Sequence, residues 1–310
     1  MVLEDLIYPK KAERKPWQMF FLGFLYAGLG IILSLWVFRS QASMVMVFLT
    51  VVACIPLIYK TFKYEEHQDL ESSDEKVLLK KHWKALSFLM FLFFGFILSY
   101  SLFFIFLPQA TTESLFNVQV TTINQINSKI TGNQVLEGVL FKIFFNNVKV
   151  LLFTILFAFF YGAGTIFILT WNASVIGAAI GVFVREKVSE AYGYLSIIPI
   201  ALGRYMIHGS FEILAYFIGG LAGGIISVAI INHDVQSQKF RIILKDSFDL
   251  ILISIAILII AAFLEIFITP TIYSFNELGI LLILGAIIAF AVIIYMLIKK
   301  TWSSESYLKD

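Results

Sequence analysis

The chain has 310 residues, of which 59% are hydrophobic and 14% are charged, and its formal net charge is +2. Its mean hydropathy is +0.88, whereas a soluble protein is about half apolar and about a quarter charged. These values exclude an ordinary soluble domain. The sequence contains no basic cluster interleaved with aromatic residues, so we expect no nucleic-acid binding. We therefore predict an all-α, polytopic helical membrane protein.

Long apolar runs predict the membrane-spanning helices, because a helix needs about 20 residues to cross a bilayer. The N-terminal run is too long for the core of a signal peptide, so we expect it to remain as the first span. The segment 173–184 is short but is expected to cross as well, which gives about eight spans, some of them short or kinked. The other predicted spans are residues 17–38, 43–59, 85–107, 148–170, 209–231, 250–268 and 278–298.

Residues 195–207 carry Pro199 and run directly into the next span. Two arrangements stay open: a piece that enters the membrane and returns, or the outer part of one kinked helix with residues 209–231. Interrupted helices of this kind are tolerated where protein or a cavity covers them. Most Lys and Arg then fall on one side, so the positive-inside rule predicts both termini in the cytoplasm and residues 108–147 as an external loop.

A stripe of ionisable residues interrupts this apolar sequence at four-residue spacing, so its members share one face of a helix. Such groups are costly in a bilayer and usually face one another or a water-filled cavity. Most of them are predicted at the outer side, where they form a buried ion-pair network, a ligand, ion or proton site, or a partner-docking site. The predicted intramembrane polar cluster is Arg204, His208, Glu212, Glu265, Asn146, Asn147 and Asn172.

Glycines repeat at four-residue spacing in two of the predicted spans, which lets helix backbones approach closely in lipid. Within one multispan chain this spacing favours packing of neighbouring helices over dimerisation, although a homo-oligomer stays open. Gly162 and Gly164 are expected to serve the same end. The predicted packing positions are Gly177, Gly181, Gly219, Gly220, Gly223 and Gly224.

Motifs of catalysis are absent from the sequence: there is no HExxH, GxSxG, Walker or dinucleotide-binding motif. We predict no catalytic residue, no metal site and no cofactor. The single cysteine, Cys54, is expected to be a small buried hydrophobe. Residues 60–84 alternate acidic and basic groups, which is typical of a solvated helical face, and His67, His82 and His233 are expected in cytoplasmic segments.

Four motifs in a fixed order carry a family resemblance: FFNN, then FFYGAGTIFILTWNASVIGAAIG, then IPIALGRYMIHGSFEILAYFIGGLAGG, then IAAFLEIFITP. This order resembles the stage II sporulation protein M (SpoIIM) family of prokaryotic integral membrane proteins. The family commonly has Pro-His-Gly, whereas Ile207 precedes His208 here. The resemblance implies a five-span core over residues 86–270, preceded by a two-helix extension over residues 1–85 and followed by a further span in residues 271–310.

The resemblance also implies a function, because the family's namesake acts with cell-wall hydrolases as a membrane anchor rather than as an enzyme. We therefore expect a non-enzymatic multi-pass scaffold in the cell membrane, which positions envelope or membrane-remodelling partners. The alternative is a transporter or channel whose polar path is lined by Arg204, His208, Glu212 and Glu265. A third hypothesis, lipid handling or membrane shaping, rests on amphipathic segments at both faces.

Overall fold

The computed structural model describes residues 9–71, 75–130, 136–159, 162–189 and 194–268. Within these ranges the chain is almost entirely helical and contains no strand. A 3₁₀ turn spans Arg39–Gln41, and a π-helical turn spans Leu264–Ile268. The helices are α1 (Pro9–Arg14), α2 (Gln18–Val37), α3 (Ala42–Glu71), α4 (Glu75–Phe106), α5 (Gln109–Leu115), α6 (Asn117–Ile130), α7 (Leu136–Ala158), α8 (Ala163–Ser189), α9 (Tyr194–Asn232) and α10 (Gln238–Phe263).

Seven of the described helices are long and apolar enough to cross a membrane: α2, α3, α4, α7, α8, α9 and α10. The prediction of a polytopic helical membrane protein is confirmed, and the chain is an integral membrane protein. Helix α9 is central, since 83% of its most apolar stretch is buried, whereas α7 is peripheral with 17% buried. The span predicted at residues 278–298 lies outside the described residues.

The boundary between the fourth and fifth spans differs from the prediction. The run 148–170 was expected to cross as one helix, but the chain turns at Gly162, which has a φ of +74°. The two crossings are therefore α7 and α8, and the predicted segment 173–184 is the second half of α8. The turn was hidden because its residues are small and aromatic rather than polar, so hydropathy does not drop there.

Helix α9 resolves the alternatives for residues 195–231, because it runs without a break from Tyr194 to Asn232. It has 39 residues, which corresponds to roughly 58 Å at the rise of an α-helix. This exceeds the hydrocarbon thickness of a bilayer, about 30 Å. Residues 195–207 are thus the first turns of a long helix and do not form a separate re-entrant piece.

The segment predicted as a loop at residues 108–147 is largely helical, since it contains α5, α6 and the first turns of α7. Gln119 of α6 is fully buried and joins this helical segment to the bundle through hydrogen bonds. Its Nε2 donates to Ser43 O and to Ser174 Oγ, each at 3.2 Å, and its Oε1 accepts from Ser43 Oγ at 2.7 Å. We call this end of the bundle the α5–α6 end.

The N-terminal extension packs directly on the core. A methyl group at Gly23 of α2 would overlap the carbonyl oxygen of Leu92 in α4, and one at Gly95 of α4 would overlap that of Phe20. The two backbones therefore touch, as small residues permit in membrane helices. On the other side of α2, Gly30 lies against Thr50 of α3.

Candidate functional site: a buried polar network between three helices

Asn147 of α7 is the centre of a hydrogen-bond network inside the membrane-spanning region. Its Nδ2 donates to Glu212 Oε1 of α9 at 2.6 Å. The hydroxyl of Tyr216, one turn further along α9, donates to Asn147 Oδ1 at 3.0 Å. Asn147 and Tyr216 are both buried. The donor and the acceptor of the Asn147 side-chain amide therefore each have a hydrogen-bond partner within the protein.

Glu212 also pairs with Glu265 in the π-helical turn after α10, through a hydrogen bond between the two carboxyl groups. A hydrogen bond between carboxyl groups requires a proton on one of them. Single π-helical turns are frequent at functional sites. Glu265 lies in such a turn and faces Glu212 of α9.

His208 lies one turn before Glu212 on α9, close enough for the charges of the two side chains to interact. Arg204 lies one turn earlier, on the described backbone of α9, but its side chain lies outside the described part of the structure. The pairing of Arg204 with a glutamate therefore stays a prediction. The network that the structure describes runs from Tyr216 through Asn147 and Glu212 to Glu265.

Asn146 and Asn172, which the sequence grouped with these residues, lie apart from the network. Asn146 is exposed on α7, because a step of one residue turns its side chain about 100° away from that of Asn147. Asn172 donates to Ile168 O of its own helix at 2.7 Å. The shifted boundary at Gly162 places Asn172 in the interior of α8 rather than at the end of a span.

Tyr216 is the member of the network that the sequence analysis missed. It continues the four-residue spacing of the stripe through Arg204, His208 and Glu212, so the spacing contained the signal. A tyrosine in an apolar helix does not by itself predict a polar site, because tyrosine is common there as a packing residue. Its hydroxyl needs a partner when buried, and Asn147 supplies that partner.

The glycine repeats bring neighbouring helices of the bundle close together. An added methyl group at any of these positions would come within van der Waals overlap of a neighbouring helix. Gly177 and Gly181 of α8 lie against Tyr100 and Phe104 of α4. On α9 the neighbours of Gly219, Gly220, Gly223 and Gly224 are Leu151, Thr165, Ile155 and Phe62, respectively.

A second group of ionisable residues lies at the opposite end of the bundle. Glu65 and Glu66 are adjacent on α3 and buried, and each binds a histidine from another part of the chain. His82 Nδ1 of α4 is 2.7 Å from Glu65 Oε2, and His233 Nε2, just after α9, is 2.6 Å from Glu66 Oε1. The expectation of a solvated charged face over residues 60–84 is therefore wrong for these residues, because α1 and α9 cover them.

Glu13 of α1 joins this second group through a hydrogen bond to Glu65. Burial and the neighbouring Glu65 carboxylate raise the pKa of Glu13 to about 8, and Lys84 and His82 partly offset this shift. We call Glu13, Glu65 and His82 the carboxylate latch. The sequence shows Glu65 and Glu66 only as members of a charge-rich stretch, so the residues that bury them could not be inferred from spacing.

Two open cavities lie at the surface of the described part of the chain. One is an open cavity of about 600 Å³ at the α5–α6 end, lined by apolar side chains such as Phe104 and Val182 and by the polar residues Gln109, Glu113 and Asn117. Arg185 also lines this cavity. Its guanidinium group donates hydrogen bonds to the carbonyl oxygens of Ile105 and Leu107 and to Thr112 Oγ1. The other cavity, of about 360 Å³, lies along α7 beside Phe141, Phe145 and Lys149.

Metal-ligand chemistry finds no support among the described residues, where no cluster of three or more His, Cys, Asp or Glu side chains could hold an ion. Cys54 is free and buried, as expected for a small hydrophobe.

Comparison with known proteins decides the family. The family model of stage II sporulation protein M matches residues 85–270, which is more than half of the chain. The chain belongs to the stage II sporulation protein M family. An uncharacterized protein of Methanocaldococcus jannaschii is 28% identical over 164 residues, which is 51% of this chain and 87% of the relative. No solved structure matches the chain.

The matched region of this SpoIIM-family protein contains the whole polar network: Asn147, Glu212, Tyr216 and Glu265. The whole carboxylate latch lies before it, since Glu13, Glu65 and His82 precede residue 85. His233 is the member of the second group that belongs to the matched region. The network is thus a feature of the family part of the chain, and the latch is a feature of the extension.

Proposed function

We propose that this SpoIIM-family protein is a non-enzymatic, multi-pass membrane scaffold or complex subunit that positions envelope or membrane-remodelling partners. The observation that carries the proposal is the open cavity at the α5–α6 end, about 600 Å³ in volume, which combines apolar and polar lining residues. Its exposed amide and carboxyl groups on Gln109, Glu113 and Asn117 offer hydrogen bonds to a partner. The positive-inside rule predicts this end to be external, with both termini in the cytoplasm.

The state of the polar network supports the same proposal. Asn147, Glu212, Tyr216 and Glu265 are hydrogen-bonded to one another and tie α7, α9 and the end of α10 together. Such a network fixes helix packing, and a rigid bundle is what a scaffold needs to hold α5 and α6 in place. The absence of a catalytic motif from the sequence agrees with this function.

The transport hypothesis gains no comparable support. It requires a water-accessible path beside the ionisable residues, whereas neither of the two cavities described above is lined by Glu212, Glu265 or His208. We therefore propose the scaffold function alone.

Cross-linking mass spectrometry on native membranes tests the proposal. The test variant replaces Gln109, Glu113 and Asn117 with alanine at the cavity. The matched control replaces Gln236, Lys239 and Arg241, which are equally exposed at the opposite end. We expect cross-links to specific membrane or envelope proteins that disappear in the test variant and persist in the control. A wild-type chain that cross-links to no other protein, or partners that persist in the test variant, would overturn the proposal.

A further inference from the structure

The carboxylate latch lies where the N-terminal extension meets the rest of the bundle. Glu65 is fully buried on α3, and His82 on α4 is buried beside it, with His82 Nδ1 2.7 Å from Glu65 Oε2. Glu13, on α1, reaches the same carboxylate from the other side. Three helices that are distant in the sequence therefore meet at a single carboxyl group.

A proton is required for this arrangement. His82 Nδ1 lies 2.7 Å from Glu65 Oε2, and two carboxyl groups can be hydrogen-bonded to each other only through a proton, so the contact between Glu13 and Glu65 needs the proton that Glu13 carries. Among the described side chains, the charged groups that face Glu13 are Glu65 from α3, and His82 and Lys84 from α4. Without the proton, Glu13 and Glu65 would be two like charges held together in a poorly hydrated site.

We propose that Glu13, Glu65 and His82 form a proton-binding site that holds α1 against α3 and α4 and releases it when the proton is lost to an alkaline solution. α1 is the element that moves, because it has only six residues and packs against those two helices. Loss of the proton converts a hydrogen bond into a repulsion between carboxylates, and separation of α1 relieves that repulsion. The opened state returns Glu13 to water, where its charge is well solvated.

The neighbouring pair Glu66–His233 supplies an internal comparison. It joins α3 to the end of α9 at 2.6 Å but contains a single carboxylate, so a neutral histidine can still donate to it. Deprotonation of Glu13 therefore leaves the contact between α3 and α9 in place. The proposal concerns α1 alone and does not depend on the scaffold function.

The raised pKa of Glu13 sets the direction and the range of the effect. A carboxyl group whose pKa is higher in the folded protein than in the unfolded chain contributes stability that is complete at low pH and is lost as the pH rises. For Glu13 the loss occurs as the pH rises through its folded value of about 8. Between the ordinary glutamate pKa of the opened state and that folded value, the open population increases roughly tenfold per pH unit, and above the folded value it levels off.

Thiol accessibility measures this opening directly. Ala12 of α1 is buried, with 1% of its surface exposed, so Ala12→Cys places a thiol beneath the latch. Cys54→Ala removes the native thiol, and Val235→Cys, 59% exposed near the same end, corrects for thiol ionisation. The measurement is the ratio of the modification rates of the two introduced cysteines by a membrane-impermeant maleimide, in full-length protein between about pH 6 and about pH 10.

We expect the ratio to rise roughly tenfold per pH unit as the pH approaches the folded pKa of Glu13, about 8, and to level off above it. Glu13→Gln should abolish the rise, because the amide donates to Glu65 at every pH. A flat ratio with Glu13 present, or an equal rise in Glu13→Gln, overturns the proposal.

Thermal unfolding of the full chain with native Ala12 provides a second readout. Stability should fall with rising pH in the native chain and fall less in Glu13→Gln. Equal pH slopes in the two proteins also overturn the proposal, even if Ala12→Cys perturbs α1.

Discussion

Asn147 and Glu212, which lie 65 positions apart in the sequence, are joined by a hydrogen bond of 2.6 Å between α7 and α9. The bond connects the most peripheral of the spanning helices to the most buried one. Few other residues of α7 are buried. The hydrogen bond and the close contact with Gly219 and Gly223 of α9 therefore position α7 against the bundle.

Asn147→Leu should therefore destabilise the bundle. The substitution leaves Glu212 Oε1 and the hydroxyl of Tyr216 without a partner, and an unsatisfied buried polar group costs about 1–3 kcal/mol. Asn146→Leu is the matched control, because Asn146 is exposed on the same helix. The free energy of unfolding in mixed micelles, measured for both variants, checks the expectation. Equal losses for Asn146→Leu and Asn147→Leu would contradict it.

The carboxyl pair predicts opposite outcomes for two substitutions of Glu265. Glu265→Gln keeps a donor for the Glu212 carboxylate, so its stability should stay within about 0.5 kcal/mol of the native protein. Glu265→Ala removes that donor and leaves the Glu212 carboxyl group without this partner, which should cost about 1–3 kcal/mol. The comparison of their unfolding midpoints is the measurement. A greater loss for Glu265→Gln than for Glu265→Ala would show that the pair does not share a proton.

Gly162→Ala should destabilise the turn between α7 and α8. The φ of +74° at this position is unfavourable for alanine, at a cost of about 1–2 kcal/mol, and the added methyl group would overlap Ile58 and Phe62. Gly138→Ala is the control, since no atom lies near its added methyl group and alanine favours a helix by about 1 kcal/mol. Thermal denaturation should shift in opposite directions for the two variants, and a shift in the same direction would refute this account of the turn.

Gly95→Ala should separate α2 from α4. Its methyl group would overlap the backbone of α2 at Phe20, and such overpacking typically costs about 1–3 kcal/mol. Gly209→Ala tests the alternative that any glycine in these helices matters, because its nearest neighbour would be 3.9 Å from the added carbon. A loss of stability of the same size at Gly209 would remove the special role of the contact between α2 and α4.

The sequence predicted the class of fold well because hydropathy over about 20 residues reports the requirement for a spanning helix. It failed at Gly162, where an apolar turn interrupts an apolar run and only backbone conformation marks the boundary. It also treated residues 195–207 as a separate problem because of Pro199, although α9 accommodates a proline within its first turns.

Sequence reasoning predicted those residues of the candidate site that recur at a regular spacing along one helix. His208 and Glu212 were found because they recur along one helix, and Tyr216 continues the same spacing. The carboxylate latch was missed because its members come from three separate helices, and nothing in the sequence around Glu65 reports that α1 covers it. Long-range burial of this kind is a property of tertiary packing.

The backbone contact between Gly23 and α4 has a consequence for how chains of this family are built. The matched region begins at residue 85, so α4 belongs to it while α2 does not. The archaeal relative is far shorter than this chain, since a match of 164 residues takes up 87% of it. In a relative without α2, the groove at Gly95 meets lipid or a second polypeptide. The extension thus internalises a contact that a shorter chain must make with its surroundings.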